Sequence, residues 1–164
     1  MPTTEALLAA IDTAFPLVPK PDQARLTFHS DGCAHCGMVN LYLEEYAGPV
    51  LPPKAIRYLC DEMSCLSAVA WRWLLPTYLR QCVAQPSEDL ARETEFLIYN
   101  LSPDAEDQPD TRARLSDLSP VQLQCLLAFL QWCKEQPRWS EYCPNEISSG
   151  QAFLTSMLAQ DGAA

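Results

Sequence analysis

The sequence predicts an all-α fold: one domain of about six or seven helices joined by proline-rich loops. Three observations predict it. Apolar residues recur at spacings of three and four along most of the chain, the period of an amphipathic helix. Alternating runs rich in β-branched residues, the mark of a strand, are almost absent. Fourteen prolines against five glycines punctuate the helical stretches. The length of 164 residues fits a single domain, residues 1–164. A chain of this size buries roughly two thirds of its unfolded surface, so it needs no disulfide framework.

The elements follow in order. In "TEALLAAIDTAF", Leu7, Leu8, Ile11 and Phe15 share one face, and Thr3 or Thr4 supplies a cap. Pro16, Pro19 and Pro21 end this helix and lead into an extended linker. "RLTFH", residues 25–29, has no strand to pair with and reads as coil. A helix follows in "GMVNLYLEEYAG" and ends near Gly48 and Pro49. "PPKAIRYLCDEM" begins with prolines, which the first helical turn tolerates, and Ile56, Leu59, Cys60 and Met63 make its stripe. Ser64 offers a cap for "CLSAVAWRWLLPTYLRQCVAQ", with Leu66, Val69, Ala70, Trp73 and Leu74 on the core face. Pro76 lacks an N–H and is expected to kink or split this helix near Leu75. Trp71 and Trp73 point about 200° apart, which places one of them nearer the surface.

"SEDLARETEFLIYNLS" is the next helix, capped by Ser87, with Leu90, Thr94, Leu97, Ile98 and Leu101 on one side. "PDAEDQPDTRARLSD" is acidic and without apolar period until Leu115, so it reads as a solvated loop. Ser119, Pro120 and Gln122 form the strongest start signal in the chain, a capping box with proline at the first helical position. Leu123, Leu126, Leu127, Leu130 and Cys133 continue that helix. A loop through Pro137 and Pro144 leads to a last helix around "GQAFLTSMLAQ", and the tail, residues 161–164, is expected to fray.

Charge and composition exclude several classes. Eleven basic residues stand against 21 acidic ones, a formal net charge of -10. Such a surface repels phosphate backbones, so no nucleic-acid partner is expected. The N-terminus has neither the basic nor the apolar segment of a secretory signal, and no apolar run is long enough for a membrane span. A cytoplasmic protein is the expectation. There its eight cysteines stay reduced, and Cys82, Cys125 and Cys133, in apolar helical segments, serve as small packing hydrophobes.

The stretch that carries chemistry is "SDGCAHCGMV". Cys33 and Cys36 are spaced as a metal knuckle, and His29 stands just upstream. A structural zinc site needs four Cys or His ligands. Cys60 and Cys65, or His29 with either of them, can complete it. The candidate set is His29, Cys33, Cys36 and Cys65, and zinc is the one cofactor the sequence suggests. "CAHC" also resembles the centre of thioredoxin-like oxidoreductases, but those place it in a mixed sheet that this sequence does not encode. A Cys–His nucleophile pair is conceivable, although no third orienting group or oxyanion site accompanies it, so no catalytic residue is assigned.

"CAHC" and "AVAWRWLLPTYLRQCV" together resemble a bacterial family of unknown function. The matching pieces are His29, Cys33 and Cys36, then Leu75–Pro76–Thr77–Tyr78–Leu79, then Leu118–Ser119–Pro120–Val121–Gln122. His29 stands four residues before Cys33, further than that family's pattern. The family implies no activity. In character the chain resembles bacterial immunity proteins, which are small, acidic and helical and plug a toxin's active site. The leading expectation is therefore a non-catalytic inhibitor of a basic toxin domain, with Asp104, Glu106, Asp107 and Asp110 as part of its surface. The alternatives are a zinc-binding helical domain and, after that, a small enzyme using Cys33 or Cys36.

Overall fold

Prolines set the helix starts in this molecule. A computed structural model describes residues 3–29, 32–84 and 91–161. Among them are nine α-helices: α1 Thr4–Ala14, α2 Ala34–Leu43, α3 Pro53–Leu59, α4 Ala68–Ala84, α5 Ala91–Asn100, α6 Gln108–Leu115, α7 Pro120–Glu135, α8 Pro137–Tyr142 and α9 Pro144–Asp161. Two 3-10 turns, Gln23–Arg25 and Cys60–Cys65, complete the order. The fold is all-α. The described residues contain no strand, only an isolated antiparallel bridge between Thr27 and Leu66.

α3, α7, α8 and α9 each begin on a proline. At the first helical position the missing N–H would have had no partner, and the fixed φ already suits a helix. This accounts for two departures from the sequence reading. The segment from Pro137 to Pro144 is not a loop: α8 occupies it, with Trp139 buried. α9 begins at Pro144, six residues before the expected "GQAFLTSMLAQ".

α7 is the centre of the packing. It lies along α9 and against α1 and α8, while α1 also crosses α4. Ser119 closes the capping box as expected: the Gln122 amide donates to Ser119 Oγ at 3.4 Å, and the Ser119 amide donates to Gln122 Oε1 at 2.9 Å. Thr3 caps α1 by accepting from the Ala6 amide at 3.1 Å, and Trp132 Nε1 donates to Thr4 Oγ1 at 3.2 Å, tying α7 to the start of α1. The core is one cluster that runs from Leu7, Ile11 and Phe15 through Ile56, Leu59 and Met63 to Leu126, Phe129 and Leu154.

α4 departs from the sequence reading in three places. It runs unbroken through Pro76. Losing one helical hydrogen bond costs about 3 kcal/mol, but Trp71, Trp73, Leu74, Leu75, Tyr78 and Leu79 around it are all buried. Side-chain burial of about 1.5–3 kcal/mol each outweighs that cost. Because α4 is wrapped on most sides, Trp71 and Trp73 are both 1% exposed. Their indole N–H groups donate to the carbonyls of Met63 at 3.0 Å and Gly48 at 3.3 Å. The cap of α4 is Ser67, not Ser64: Ser67 Oγ accepts from the Ala70 amide at 3.3 Å. Cys60–Cys65 forms the 3-10 turn before it.

The acidic segment after Pro103 is not wholly a loop, because α6 forms within it. Asp110 lies in its first turn and Arg112 and Arg114 in its last, each sign facing the matching end of the helix dipole. Thr111 and Leu115, one turn apart, are the only buried positions α6 needs. The expected Ser87 cap and Leu90, and the tail beyond Asp161, lie outside the described residues. No helix among those described is long and apolar enough to cross a membrane.

Candidate metal centre

Three segments meet at one corner of the bundle. The first is the arm before α2. Its 3-10 turn is tied to α2 by Gln23 Nε2, which donates to Asn40 Oδ1 at 2.8 Å. Lys20 Nζ reaches the last carbonyl of α2, Leu43 O, at 2.7 Å. The arm then pairs with the chain after the Cys60–Cys65 turn. The Phe28 amide donates to Cys65 O at 2.8 Å and the Ser67 amide to Leu26 O at 3.0 Å. These bonds set His29 beside Cys65.

The second segment is the start of α2. Gly32 has φ of 71°, a left-handed conformation that glycine adopts without strain, and it turns the chain into the helix. Cys33 occupies the N-cap position and Cys36 follows one turn later on the same side. The CxxC pair thus opens the helix rather than preceding it. The third segment is the 3-10 turn itself, which ends in Cys65.

The ligand atoms of His29, Cys33 and Cys36 all lie within 4.8 Å of one another. His29 Nδ1 is 3.4 Å from Cys36 Sγ, and Cys36 Sγ is 3.8 Å from the Cys65 carbonyl oxygen. Neighbouring sulfurs around zinc are about 3.8 Å apart when Zn–S bonds are about 2.3 Å, so the trio must contract by about an ångström or less to close on an ion. His29 is exposed, Cys33 half-buried and Cys36 buried. The group sits at the surface with its sulfur-rich side turned inward.

The thiols are not equivalent. The Cys36 backbone amide holds the Cys33 thiol below its ordinary value, helped by the Cys36 thiol, the His35 amide and the Cys65 thiol. A group poised toward thiolate is a ready metal ligand. Cys65 is pushed up to about 12, first by burial, then by hydrogen bonding to Cys36 and by the charges of Cys36, Glu62 and Cys33. Cys65 Sγ donates to Glu62 Oε2 at 3.8 Å, beside the trio and not within its mutual 4.8 Å. A metal ion bound here would replace these repulsions with attraction and drive the protons off. Nearby, His35 Nδ1 stands 3.6 Å from Glu62 Oε2 on the outer side.

All four sequence-predicted ligands therefore gather at this corner, three within mutual ligand distance and Cys65 alongside. Cys60 does not join them. Its thiol donates to Arg57 O at 3.1 Å and lies 3.6 Å from Asp61 Oδ1. The four acidic candidates occupy a different place, the approach to α6 and its first turn. Asp104, Glu106, Asp107 and Asp110 are all exposed, and none makes an ion pair among the described residues.

Sequence reasoning missed Arg114. Its Nε donates to Ser64 O at 3.0 Å, and its guanidinium lies 4.4 Å from the Phe28 ring centroid. No local pattern announces this, because Arg114 is 50 positions from Ser64.

No known family matches the chain, and neither does any curated protein or solved structure.

Proposed function

We propose that this chain is a non-catalytic helical binding protein whose N-terminal corner is closed by one zinc ion on His29, Cys33, Cys36 and Cys65. The observation that carries the reading is the convergence of the His29, Cys33 and Cys36 ligand atoms within 4.8 Å, with Cys65 beside them. Imidazole and thiolate donors suit zinc, whereas oxygen ligands suit calcium or magnesium. Four protein ligands fill a tetrahedron and leave no open position, which fits a structural ion. The ion would fasten together three segments that already share the core through Leu26, Val39 and Met63: the arm, the start of α2 and the turn ending in Cys65. A cytoplasmic setting, where thiols remain reduced, accords with eight free cysteines.

Metal analysis of untagged protein tests the reading. Roughly one zinc per chain is expected. Less than about a tenth of an equivalent after purification without chelator, and no uptake on adding zinc, would overturn it.

A second reading concerns the partner. We infer that the chain captures a basic protein, of the kind an immunity protein presents to a toxin. The net charge of -10 and the exposed Asp104, Glu106, Asp107 and Asp110, none in an ion pair among the described residues, favour it. Electrostatic steering would speed such an encounter at low salt. Co-purification from the native host tests it. A stoichiometric basic partner released by salt supports it, and recovery of the chain alone counts against it.

A further inference from the structure

A zinc ion held by three thiolates and one neutral imidazole carries a net charge of -1. Here it would sit near Glu62 and the carboxylates of α6, on an already anionic chain. A centre of that charge, partly out of water, requires a counter-charge. Arg114 stands where one is needed. Its Nε is bonded to the carbonyl of Ser64, the residue before Cys65, at 3.0 Å. Its guanidinium covers Phe28, the residue before His29, at 4.4 Å. Phe28 in turn packs edge-on against the His29 ring, with centroids 5.1 Å apart and planes at 89°. One side chain from α6 thus touches the peptide flanking one ligand and the ring flanking another.

We propose that Arg114 is the outer residue of the metal centre: it neutralises the anionic zinc–thiolate group and holds His29 in place through Phe28. The inference rests on the metal reading above. Burial lowers the guanidinium's proton affinity, while Asp110 and Asp107 on its own helix side, and Cys65 and Cys36 across from it, raise it. The Ser64 carbonyl and the Phe28 ring are the groups it touches, and both adjoin proposed ligands. A half-buried arginine with its planar fork spent on one carbonyl and one ring is costly to keep without an anionic partner.

The experiment measures zinc affinity of the full chain by competition with a chromogenic chelator, for wild type, Arg114→Gln and Arg114→Lys. Gln keeps an N–H for Ser64 O and loses the charge, and Lys keeps the charge. Arg114→Gln should weaken zinc binding by about 10- to 100-fold, the usual effect of losing an outer-shell partner. Arg114→Lys should recover most of that loss, and the cobalt-substituted spectrum should stay tetrahedral in all three. A purely structural role would instead lower the melting temperature of metal-free Arg114→Gln while leaving affinity within about twofold of wild type. Unchanged affinity, or a loss in Arg114→Lys as large as in Arg114→Gln, overturns the proposal while the zinc site stands. Absence of zinc binding by wild type overturns both.

Discussion

The helical core and the thiol corner use the same residue in opposite ways. In the core, Cys82 is buried and its thiol is pushed up to about 12 by burial, with Thr94 opposing and the charges of Glu93 and Cys60 adding. Cys133 is driven well above its ordinary value, again chiefly by burial. These thiols stay neutral and act as small apolar groups. At the corner, Cys33 is half-exposed at a helix start, and backbone amides draw its thiol down. The difference teaches that a cysteine's chemistry is set by the amides and water around it, not by its count or its spacing alone. On the proposed reading it also divides the molecule by cause of stability: packing alone in one region, and packing with ligation in the other.

The largest expected effect lies in the core. Phe129 is fully buried on α7, and Phe129→Ala should cost about 3–5 kcal/mol in urea unfolding. That cost should be the same with and without zinc. If chelator changed it by more than a fraction, the two regions would not be separable. The corner should respond to metal instead. Free zinc at 100 times its dissociation constant stabilises the native chain by about 2.7 kcal/mol, which amounts to about 5–10 °C in melting temperature for a chain of this size. A Cys33→Ser/Cys36→Ser variant should lose that increment and melt alike with and without chelator. A chelator-sensitive melt in that variant would place the metal elsewhere.

A smaller effect tests how tightly the core is filled. Gly150 on α9 faces α7 and the end of α5. An added Cβ would meet Leu130 Cδ1 at 2.9 Å and Leu101 O at 3.0 Å. Glycine to alanine inside a helix ordinarily gains about 1 kcal/mol. Here the carbonyl cannot yield, so Gly150→Ala should destabilise by about 1–3 kcal/mol. A stabilised variant would show that α9 is free to move off α7.

Much of this division was legible in the sequence, and the part that was not has a physical cause. The helical period marked the core faces of α1, α3 and α7, and Ser119 with Gln122 marked the start of α7 to the residue. Proline was the ambiguous letter. It reads as a breaker, yet Pro137 and Pro144 start helices because the first turn does not need their N–H groups. Pro76 is carried inside α4 by burial of its neighbours, a tertiary effect no local pattern contains. α6 was missed because two buried side chains, Thr111 and Leu115, are too few to show a period. The grouping of His29, Cys33 and Cys36 was legible from type and spacing, whereas the position of Cys65 beside it depends on the pairing of the arm with the chain at Leu66. Arg114 reaches the site from a helix that the sequence did not announce.

The least of the effects separates the two kinds of thiol directly. In the unfolded chain a cysteine titrates near 9.0, and in the native chain Cys82 titrates near 12. Below pH 9 both states keep the proton and Cys82 contributes no pH dependence. Above it the unfolded state binds fewer protons than the native state, so stability falls by about 1.4 kcal/mol per pH unit until the folded value is reached. Cys82→Ala in metal-free protein should flatten the loss of stability between pH 10 and 11 by about that slope, whatever constant cost the substitution adds. Cys33→Ser should leave the slope unchanged in this window. The Cys33 thiol is already ionised there in both states, because its folded value lies below the ordinary 9.0. Equal slopes for Cys82→Ala and wild type would mean that water reaches the core thiol. The contrast between a packed cysteine and a ligating one would then fail at its better-defined end.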